Sequence, residues 1–291
     1  TGLHPLRGQN NVQGASDSGL IPMFLPDYQR VANDDARARF EKLWNTTLDP
    51  KPGLTVVEIM DAVHAGTIRG MYIMGENPAM SDPDAHHARA ALAKLEHLVV
   101  QEIFLTETCY HADVILPATV WPEKSGTVTN TDRMVQMGRP AVTPPGEVKP
   151  DLWIIQEIAR RIGLDWNYSG AKDVFNEMRK AMNSIAGITW ERLEAESSVT
   201  YPCEKEGDPG QPVVFVEKFP TPTGRAKLVP VDIIPAAEQP DRDFPFVLIT
   251  GRQLEHWHTG AITRRATVLD AIEPEPTVSM HPLDLEALGA K

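Results

Sequence analysis

The chain of 291 residues carries a formal net charge of −12 and is 42% hydrophobic, an ordinary globular composition. The acidic sequence has no basic run, so we expect no nucleic-acid partner, and no apolar stretch reaches the roughly 18 residues of a membrane-spanning helix. Cys109 and Cys203 are the only cysteines, which argues against a disulfide framework or an iron–sulfur cluster held by this chain. They predict a reducing, cytoplasmic setting.

The segment 6–19, LRGQNNVQGASDSG, is rich in Gly, Asn, Gln, Ser and Asp and fits neither a helix nor a strand pattern. Amide groups led by one guanidinium, that of Arg7, suit a polar, anionic ligand. A solvated surface loop that binds nothing explains the composition equally well, since polar loops are common. The composition of this segment leaves both interpretations open.

Residues 34–116 alternate between helical and strand patterns, which is the order of an α/β layer with a parallel sheet. The predicted elements, in chain order, are helices at 34–44 and 55–66, a strand at 68–74, a helix at 82–95, a strand at 98–105, a short helix at 106–112 and a strand at 113–116. Thr55, with Glu58 three residues later, is predicted to cap the second of these helices.

Polar residues stand where two of these strands end, and ligands of such sheets lie beyond the carboxyl ends of the strands. The turn 75–78, Gly-Glu-Asn-Pro, follows the first strand. Gln101 and Glu102 come at the end of the next strand if that strand is shorter than its apolar run. Asn77 can cap the following segment or bind a ligand, and asparagine is common as a turn residue.

An extended segment is predicted at 117–139, where Lys124 next to a glycine turn can reach a phosphate or carboxylate, although lysines are usually solvated. After a proline-rich linker at 140–150, a helix begins at Asp151, an acid suited to a first helical turn. Its apolar stripe is predicted from Leu152, Ile155, Ile158, Ala159 and Ile162. The remaining predicted elements before residue 231 are helices at 171–182 and 189–195 and a pair of strands at 213–219 and 224–230.

A proline-containing linker at 232–243 marks a predicted domain boundary. Strands are predicted at 246–250 and 277–280, and a helix at 281–288. The polar stretch 250–259, TGRQLEHWHT, suits a phosphate and a planar heterocycle, with Arg252 as the anion contact and Thr250 and Thr259 as hydrogen-bonding partners. His256 and His258 raise the alternative of a metal pair, but on a helix they would point to different sides, and no third ligand is evident.

Four segments occur here in one order: RGQNNVQG from residue 7, GENP from 75, WPEKSG from 121 and TGRQLEHWHT from 250. Together they resemble the large subunit of molybdenum- or tungsten-dependent formate dehydrogenases, which belong to the molybdopterin oxidoreductase superfamily. The similarity extends over nearly the whole chain. The RGQNNVQG segment is the most specific match and favours formate dehydrogenases over nitrate reductases, whereas the TGR…HWHT segment is specific to the superfamily rather than to formate.

The resemblance implies an α/β domain with a Rossmann-like parallel sheet over 1–235, followed over 244–291 by the start of a β-barrel domain that binds molybdopterin dinucleotide. It implies molybdenum or tungsten held between two molybdopterin guanine dinucleotides, with Arg7 as the catalytic residue that binds the formate carboxylate. The cofactor-binding residues that it implies are Gln9, Asn77, Gln101, Glu102, Lys124, Asp151, Thr250, Gly251, Arg252, Leu254, Glu255, His256, Trp257, His258 and Thr259.

The same resemblance implies oxidation of formate to carbon dioxide, with electrons leaving through iron–sulfur clusters to electron-transfer subunits, and with flavin and NAD among the partners. In the family the cysteine or selenocysteine that binds the metal, its histidine and the cluster cysteines precede the RGQNN segment. We therefore expect no metal ligand in this chain, and expect it to be part of such a subunit that is inactive alone.

Two alternatives stand beside this expectation: a structural or interaction module on the same scaffold, and another oxyanion reductase of the superfamily. A module that has lost its cofactor would have no need of the polar residues that face it. The retention of these residues favours a catalytic-subunit segment; they include Arg7, Gln9, Asn77, Lys124 and Arg252.

Overall fold

The computed structural model describes residues 4, 7–236 and 238–290. Leu6 of the predicted polar loop, Ala237 of the predicted linker and Lys291 lie outside the described residues. The α-helices are α1 Val12–Asp17, α2 Asp34–Trp44, α3 Val56–His64, α4 Pro78–Ser81, α5 Ala85–Leu92, α6 Asp151–Arg161, α7 Ala171–Ala181, α8 Trp190–Glu196, α9 Thr267–Ile272 and α10 Pro282–Ala287. The strands are β1 Phe24–Leu25, β2 Gln29–Arg30, β3 Gly70–Met74, β4 His97–Glu102, β5 Val114–Pro117, β6 Gly126–Thr129, β7 Met134–Gly138 and β8 Ser198–Thr200.

A three-stranded parallel sheet with β4 between β3 and β5 confirms the predicted α/β layer. Gln101 lies opposite Met74 on one side and Leu116 on the other, so the three strands end at one edge of the sheet. β4 ends at Glu102, shorter than the apolar run of the sequence, which places Gln101 and Glu102 at its carboxyl end as predicted. The helices α3 and α5 pack together beside this sheet.

Local signals explain where α2 and α3 begin. The Asn33 side chain accepts a hydrogen bond of 2.9 Å from the N–H of Ala36, and α2 follows it as predicted. Thr55 and Glu58 form a reciprocal capping box at the start of α3, which satisfies backbone N–H groups that the first turn leaves without helical partners. Each helix is then held by burial of its apolar side, with Phe40 in α2 and Val63 in α3.

An antiparallel sheet of order β6-β7-β8 forms the second layer of strands. The segment 117–139, predicted as extended, contributes the β6–β7 hairpin after a 3-10 turn at Trp121–Glu123. The core beside this sheet joins residues from α2, α7, α8 and β8; its buried members include Phe40, Phe175, Met182, Ile188, Trp190, Leu193, Val199 and Tyr201. No helix in the described ranges is long and apolar enough to cross a bilayer.

The prediction that 6–19 contains no helix was wrong from Val12 onward, because α1 covers Val12–Asp17. Its sequence lacks an apolar stripe, so the helix is stabilised by contacts distant in the chain. The Asn11 carboxamide before α1 accepts a hydrogen bond of 2.9 Å from the N–H of Thr129 in β6. At its other end Asp17 is buried against Tyr201. Such a helix gives no local hydrophobic period to detect.

The strands predicted at 213–219, 224–230, 246–250 and 277–280 were wrong, since the structure forms none of them. Across the first pair the backbone bond is from the N–H of Phe219 to the carbonyl of Gly224, at 3.0 Å, which closes a turn. The apolar side chains are exposed, as at Ile249, whose exposed fraction is 84%. An apolar pattern shows that a segment can be buried, but a strand also requires a hydrogen-bonded neighbour.

The apolar stripe predicted for α6 was also partly wrong. Ala159 is buried as predicted, but Ile162 follows the helix and is 70% exposed, while Ile154 and Gln156 are buried instead. The Gln156 amide explains the difference, because it bonds both backbone groups of Tyr168, donating to the carbonyl at 3.1 Å and accepting from the N–H at 2.7 Å. A buried polar side chain with both partners satisfied is stable in a core position.

Candidate functional site

Arg7 is an exposed residue placed just before α1. Its Nε donates a hydrogen bond of 2.9 Å to Oε1 of Gln13, which lies in the first turn of that helix. Among the described residues its two terminal nitrogens have no hydrogen-bond or ion-pair partner, so the fork of the guanidinium is available to an anion. Gln9 is also exposed, and its carbonyl accepts a bond of 3.4 Å from the N–H of Val12.

The buried carboxylate of Asp17, at the end of α1, accepts hydrogen bonds from two side chains. Asp17 Oδ1 accepts from Gln13 Nε2 at 2.6 Å, and Oδ2 accepts from the Tyr201 hydroxyl at 2.7 Å. Burial raises the pKa of Asp17, and these donors oppose that rise by stabilising the ionised form. Burial also raises the pKa of the Tyr201 hydroxyl, which favours its role as a donor.

Three of the predicted cofactor residues come together at the carboxyl edge of the parallel sheet. Gln101, buried at the end of β4, donates from Nε2 to Asp151 Oδ1 at 2.6 Å. The Tyr72 hydroxyl donates to Gln101 Oε1, and Lys124 forms an ion pair with the other oxygen of Asp151. Lys124 also donates to the carbonyl of Thr119 at 3.0 Å. The bond between Gln101 and Asp151 thereby links the end of β4 to the first turn of α6.

Two acids next to this cluster are partly desolvated. Burial raises the pKa of Glu102, and nearby Glu76 and Asp151 add to the rise while Arg265 opposes it. Burial also raises the pKa of Glu76, with a further contribution from Asp82. Glu102 Oε1 accepts a bond of 2.7 Å from the N–H of Ile103. Such carboxyl groups can accept hydrogen bonds from N–H groups of a polar ligand.

Asn77 is buried and bonded within the protein. Its Oδ1 accepts from the N–H of Thr108 at 3.1 Å and from the Thr108 hydroxyl at 2.8 Å, and its Nδ2 donates to Glu107 at 2.7 Å. It precedes α4 but its side chain makes no capping bond, so the capping interpretation was wrong. The structure places Asn77 as the residue that fastens the turn after β3 to the 3-10 helix Glu107–His111.

The segment 250–259 reaches the start of the chain through Arg252. A Cβ on Gly8 would lie 2.7 Å from Arg252 Nη2, so a larger residue at this position would require the Arg252 guanidinium to shift away from the backbone. Arg252 also contacts His258, with 3.3 Å between Nη1 and Nε2, and its Cζ lies 5.6 Å from the centre of the Trp257 ring. Arg252 thus brings a cation to Gly8, the residue that follows Arg7 in the chain.

The two histidines of this segment have different surroundings. His256 is half-buried, and its Nε2 donates to the carbonyl of Glu273 at 2.6 Å while its Nδ1 lies 3.3 Å from the Thr263 hydroxyl. His258 is exposed and faces Arg252. Within the described part of the chain no three His, Cys, Asp or Glu residues lie close enough to hold a metal ion. The remaining predicted residues of the segment are exposed or half-buried; they are Thr250, Gly251, Leu254, Glu255 and Thr259.

Arg265 joins this C-terminal segment to the edge of the parallel sheet. It donates to the carbonyl of Leu105 at 3.3 Å, approaches Glu107 at 3.7 Å and lies over the Phe104 ring at 5.6 Å. Because Glu107 is bonded to Asn77, Arg265 extends the network that holds the turn after β3.

Sequence reasoning missed several members of this region. Glu76 could have been chosen because it follows the strand β3 directly, as Asn77 does. Tyr72 and Arg265 carry no local signal, since their contacts join residues far apart in the chain. Thr119 is 1% exposed next to Lys124, and its hydroxyl oxygen has no hydrogen-bond partner among the described residues. A buried polar atom without a partner indicates a group that a ligand can satisfy.

The site residues fit a ligand that combines phosphates with a planar base. Arg252 and Arg7 supply positive charge for anionic oxygens, and the Lys124 ammonium, although paired with Asp151, keeps one N–H as a donor. The acceptors at the sheet edge suit the N–H groups of a base, and the exposed Trp257 ring offers a surface for stacking. These groups come from segments far apart in the sequence, which is how ligand sites of α/β proteins are assembled at strand ends.

Comparison with known proteins gives two family matches. Residues 7–161 match the molybdopterin oxidoreductase family, and residues 246–291 match the molybdopterin dinucleotide binding domain. The alpha subunit of an F420-dependent formate dehydrogenase from Methanocaldococcus jannaschii is 47% identical over 99% of this chain, which covers 42% of that protein. The alpha subunit of an F420-dependent formate dehydrogenase 1 from Methanococcus maripaludis is 42% identical over 100% of this chain and 43% of that protein.

Among solved structures, acetylene hydratase from Pelobacter acetylenicus is similar in fold. Its TM-score is 0.58 with 18% sequence identity, over 88% of this chain and 38% of that one. At this identity the likeness concerns the fold alone. The chain therefore spans less than half the length of the relatives described here.

Proposed function

The chain belongs to the molybdopterin oxidoreductase family, and from this premise we propose that it forms part of the catalytic subunit of a formate dehydrogenase. The observation that carries the proposal is the placement of Arg7. Its Nε is hydrogen-bonded to Gln13, which leaves its terminal nitrogens exposed, and the next residue in the loop, Gly8, lies against Arg252. The two relatives described above are named as formate dehydrogenases, which supports formate as the substrate.

In this proposal the Arg7 guanidinium binds the two oxygens of formate with two parallel hydrogen bonds. The planar guanidinium presents its N–H donors in a fixed fork that matches the geometry of a carboxylate. Holding both oxygens directs the C–H bond of formate away from Arg7. Arg252 adds a second positive charge near this loop and favours an anion over a neutral molecule.

The cofactor that we propose is molybdenum or tungsten held by two molybdopterin guanine dinucleotides. When bound, this group accepts the two electrons that formate loses as it becomes carbon dioxide and a proton. Arg252 would neutralise phosphate charge, Lys124 would donate its remaining N–H to a phosphate oxygen, Trp257 would pack on a planar ring, and the sheet edge would supply acceptors and donors. The residues assigned to this role are Gln9, Asn77, Gln101, Glu102, Lys124, Asp151 and those between Thr250 and Thr259 named above.

We further propose that electrons leave through iron–sulfur clusters outside this chain, to NAD by way of a flavin subunit in a cytoplasmic complex. The names of the relatives favour a second acceptor, F420, in place of NAD. The complete complex, given formate and each acceptor in turn, distinguishes the two. Reduction of F420 but not NAD would overturn the NAD assignment and leave the formate assignment in place.

The test of the function itself is a substrate comparison on the metal-loaded complete subunit with an artificial electron acceptor or donor. We expect oxidation of formate and little reduction of nitrate or dimethyl sulfoxide. Reduction of nitrate or of dimethyl sulfoxide without formate oxidation would favour another reductase of the family. A correctly folded subunit that binds no metal and turns over none of these compounds would favour a scaffold role.

A further inference from the structure

The contact between Arg7 and Gln13 has a defined direction. Gln13 can accept from Arg7 Nε only through its carbonyl oxygen, because the guanidinium has no acceptor. The amide nitrogen of Gln13 must then point the other way, toward Asp17, Tyr28 and Tyr201. Reversing the amide would set its NH₂ group against the Nε–H of Arg7.

The groups behind Gln13 enforce the same direction. The Gln13 Nε2 lies 2.6 Å from Asp17 Oδ1, 3.1 Å from the Tyr201 hydroxyl and 3.2 Å from the Tyr28 hydroxyl. Because the Tyr201 proton is donated to Asp17, its oxygen accepts from Gln13. An ionised Asp17 offers acceptors alone, so it holds the NH₂ group of Gln13 and leaves the carbonyl oxygen for Arg7.

We propose that Gln13 is a positioning residue that fixes the plane of the Arg7 guanidinium, with Asp17 and Tyr201 fixing the direction of the Gln13 amide. The inference rests on the proposed binding of formate by Arg7 and adds how that side chain is oriented. With Nε engaged, the two terminal nitrogens form the fork that faces an anion. Asp17 and Tyr201 are buried, so the support is rigid, whereas Arg7 itself is exposed.

Loss of the Gln13 bond should have a measurable effect on formate binding, because the long Arg7 side chain then samples several rotamers. Gln13→Met removes both ends of the amide while keeping a similar length. We expect it to raise the KM for formate by roughly tenfold, the size expected for one hydrogen bond to a charged group, with a smaller change in kcat. The metal content should stay equal to that of the parent, because the described hydrogen bonds of the Gln13 side chain join Arg7, Asp17, Tyr28 and Tyr201, none of which is assigned to the cofactor.

The decisive experiment is a double-mutant cycle of Gln13→Met and Arg7→Ala in the complete metal-loaded subunit, with Gln29→Met as the matched control. Gln29 is an exposed glutamine whose side chain bonds the nearby carbonyl of Asp27. We expect the effect of Gln13→Met to disappear in the Arg7→Ala background, since it acts through Arg7. The calorimetric affinity for nitrate, a planar anion that a guanidinium fork can bind, should follow the same pattern without turnover.

Equal effects of Gln13→Met in both backgrounds, or no effect in the parent, would overturn the inference. If Arg7→Ala itself leaves formate use unchanged, the proposed role of Arg7 fails, which is a different outcome. Should Gln13→Met fail to fold, Tyr201→Phe replaces it in the cycle, because it removes the hydroxyl that orients the amide and keeps the ring. Its expected result is a smaller rise in KM that also disappears without Arg7; a rise that persists in the Arg7→Ala background contradicts the inference.

Discussion

At the scale of single residues, the candidate site depends on polar side chains that the protein itself holds in place. Gln101 is bonded by Tyr72 on one side and by Asp151 on the other. Asp151 in turn pairs with Lys124. Side chains held in this way lose less conformational freedom when a ligand arrives, so more of the contact energy is available for binding.

Glu102 gives a pH-dependent prediction, because burial raises its pKa above the ordinary value of 4.5. The folded chain favours protonated Glu102, so its contribution to stability is fully present below pH 4.5 and is lost as the pH rises through the raised folded-state value. Glu102→Gln keeps an oxygen for the N–H of Ile103 and removes the titration. Relative to the parent, the free energy of unfolding of this variant should therefore increase with pH over that window.

Urea unfolding of parent and variant at a series of pH values from 4 upward, at roughly half-unit steps, measures this difference. The exposed Glu204→Gln is the matched control. A difference between Glu102→Gln and the parent that stays constant, or that falls as the pH rises, contradicts the assigned burial of Glu102.

At the scale of elements, the predictions succeeded where the signal was local. The cap at Thr55 and the alternation of helix and strand over 34–116 placed the parallel sheet and its edge. They failed where the outcome depends on distant residues. The contact of Gln13 with Tyr201 joins positions 188 apart in the chain, and no local pattern encodes it. The strand predicted at 246–250 failed for the complementary reason, since its apolar run has no neighbouring strand in the described structure.

The difference between apolar side chains that are buried and apolar side chains that remain exposed predicts how two positions respond to truncation. Phe40 in α2 is fully buried, whereas the Ile233 side chain is 99% exposed in the segment without regular structure. Phe40→Ala should lower the free energy of unfolding by about 3–5 kcal/mol, because it removes core contacts and leaves a cavity. Ile233→Ala should change it by less than about 0.5 kcal/mol. If denaturant unfolding shows similar losses of unfolding free energy for the two variants, the burial of Phe40 or the exposure of Ile233 is contradicted.

At the scale of the whole molecule, two arginines join three separate regions. Arg252 brings the segment 250–259 to Gly8, and Arg265 fastens the following segment to the loop after β4. The C-terminal segment thereby contacts both the opening loop and the loop after β4, and the matches to the oxidoreductase and dinucleotide-binding families cover these three regions. In the proposed formate dehydrogenase, this arrangement separates the role of Arg7, which binds formate, from the roles of the residues at the sheet edge and at 250–259, which bind the cofactor.

That separation is tested most directly by the kinetics of Arg7→Ala in the complete subunit, with metal content measured on the same samples. Arg242→Ala, at an exposed arginine outside the site, is the matched control. We predict that kcat/KM for formate falls by about a hundredfold or more, since a bidentate contact to a charged group is lost, while metal content stays at the parent level. An unchanged kcat/KM for formate, at equal metal content, would contradict the assignment of Arg7 as the residue that binds formate.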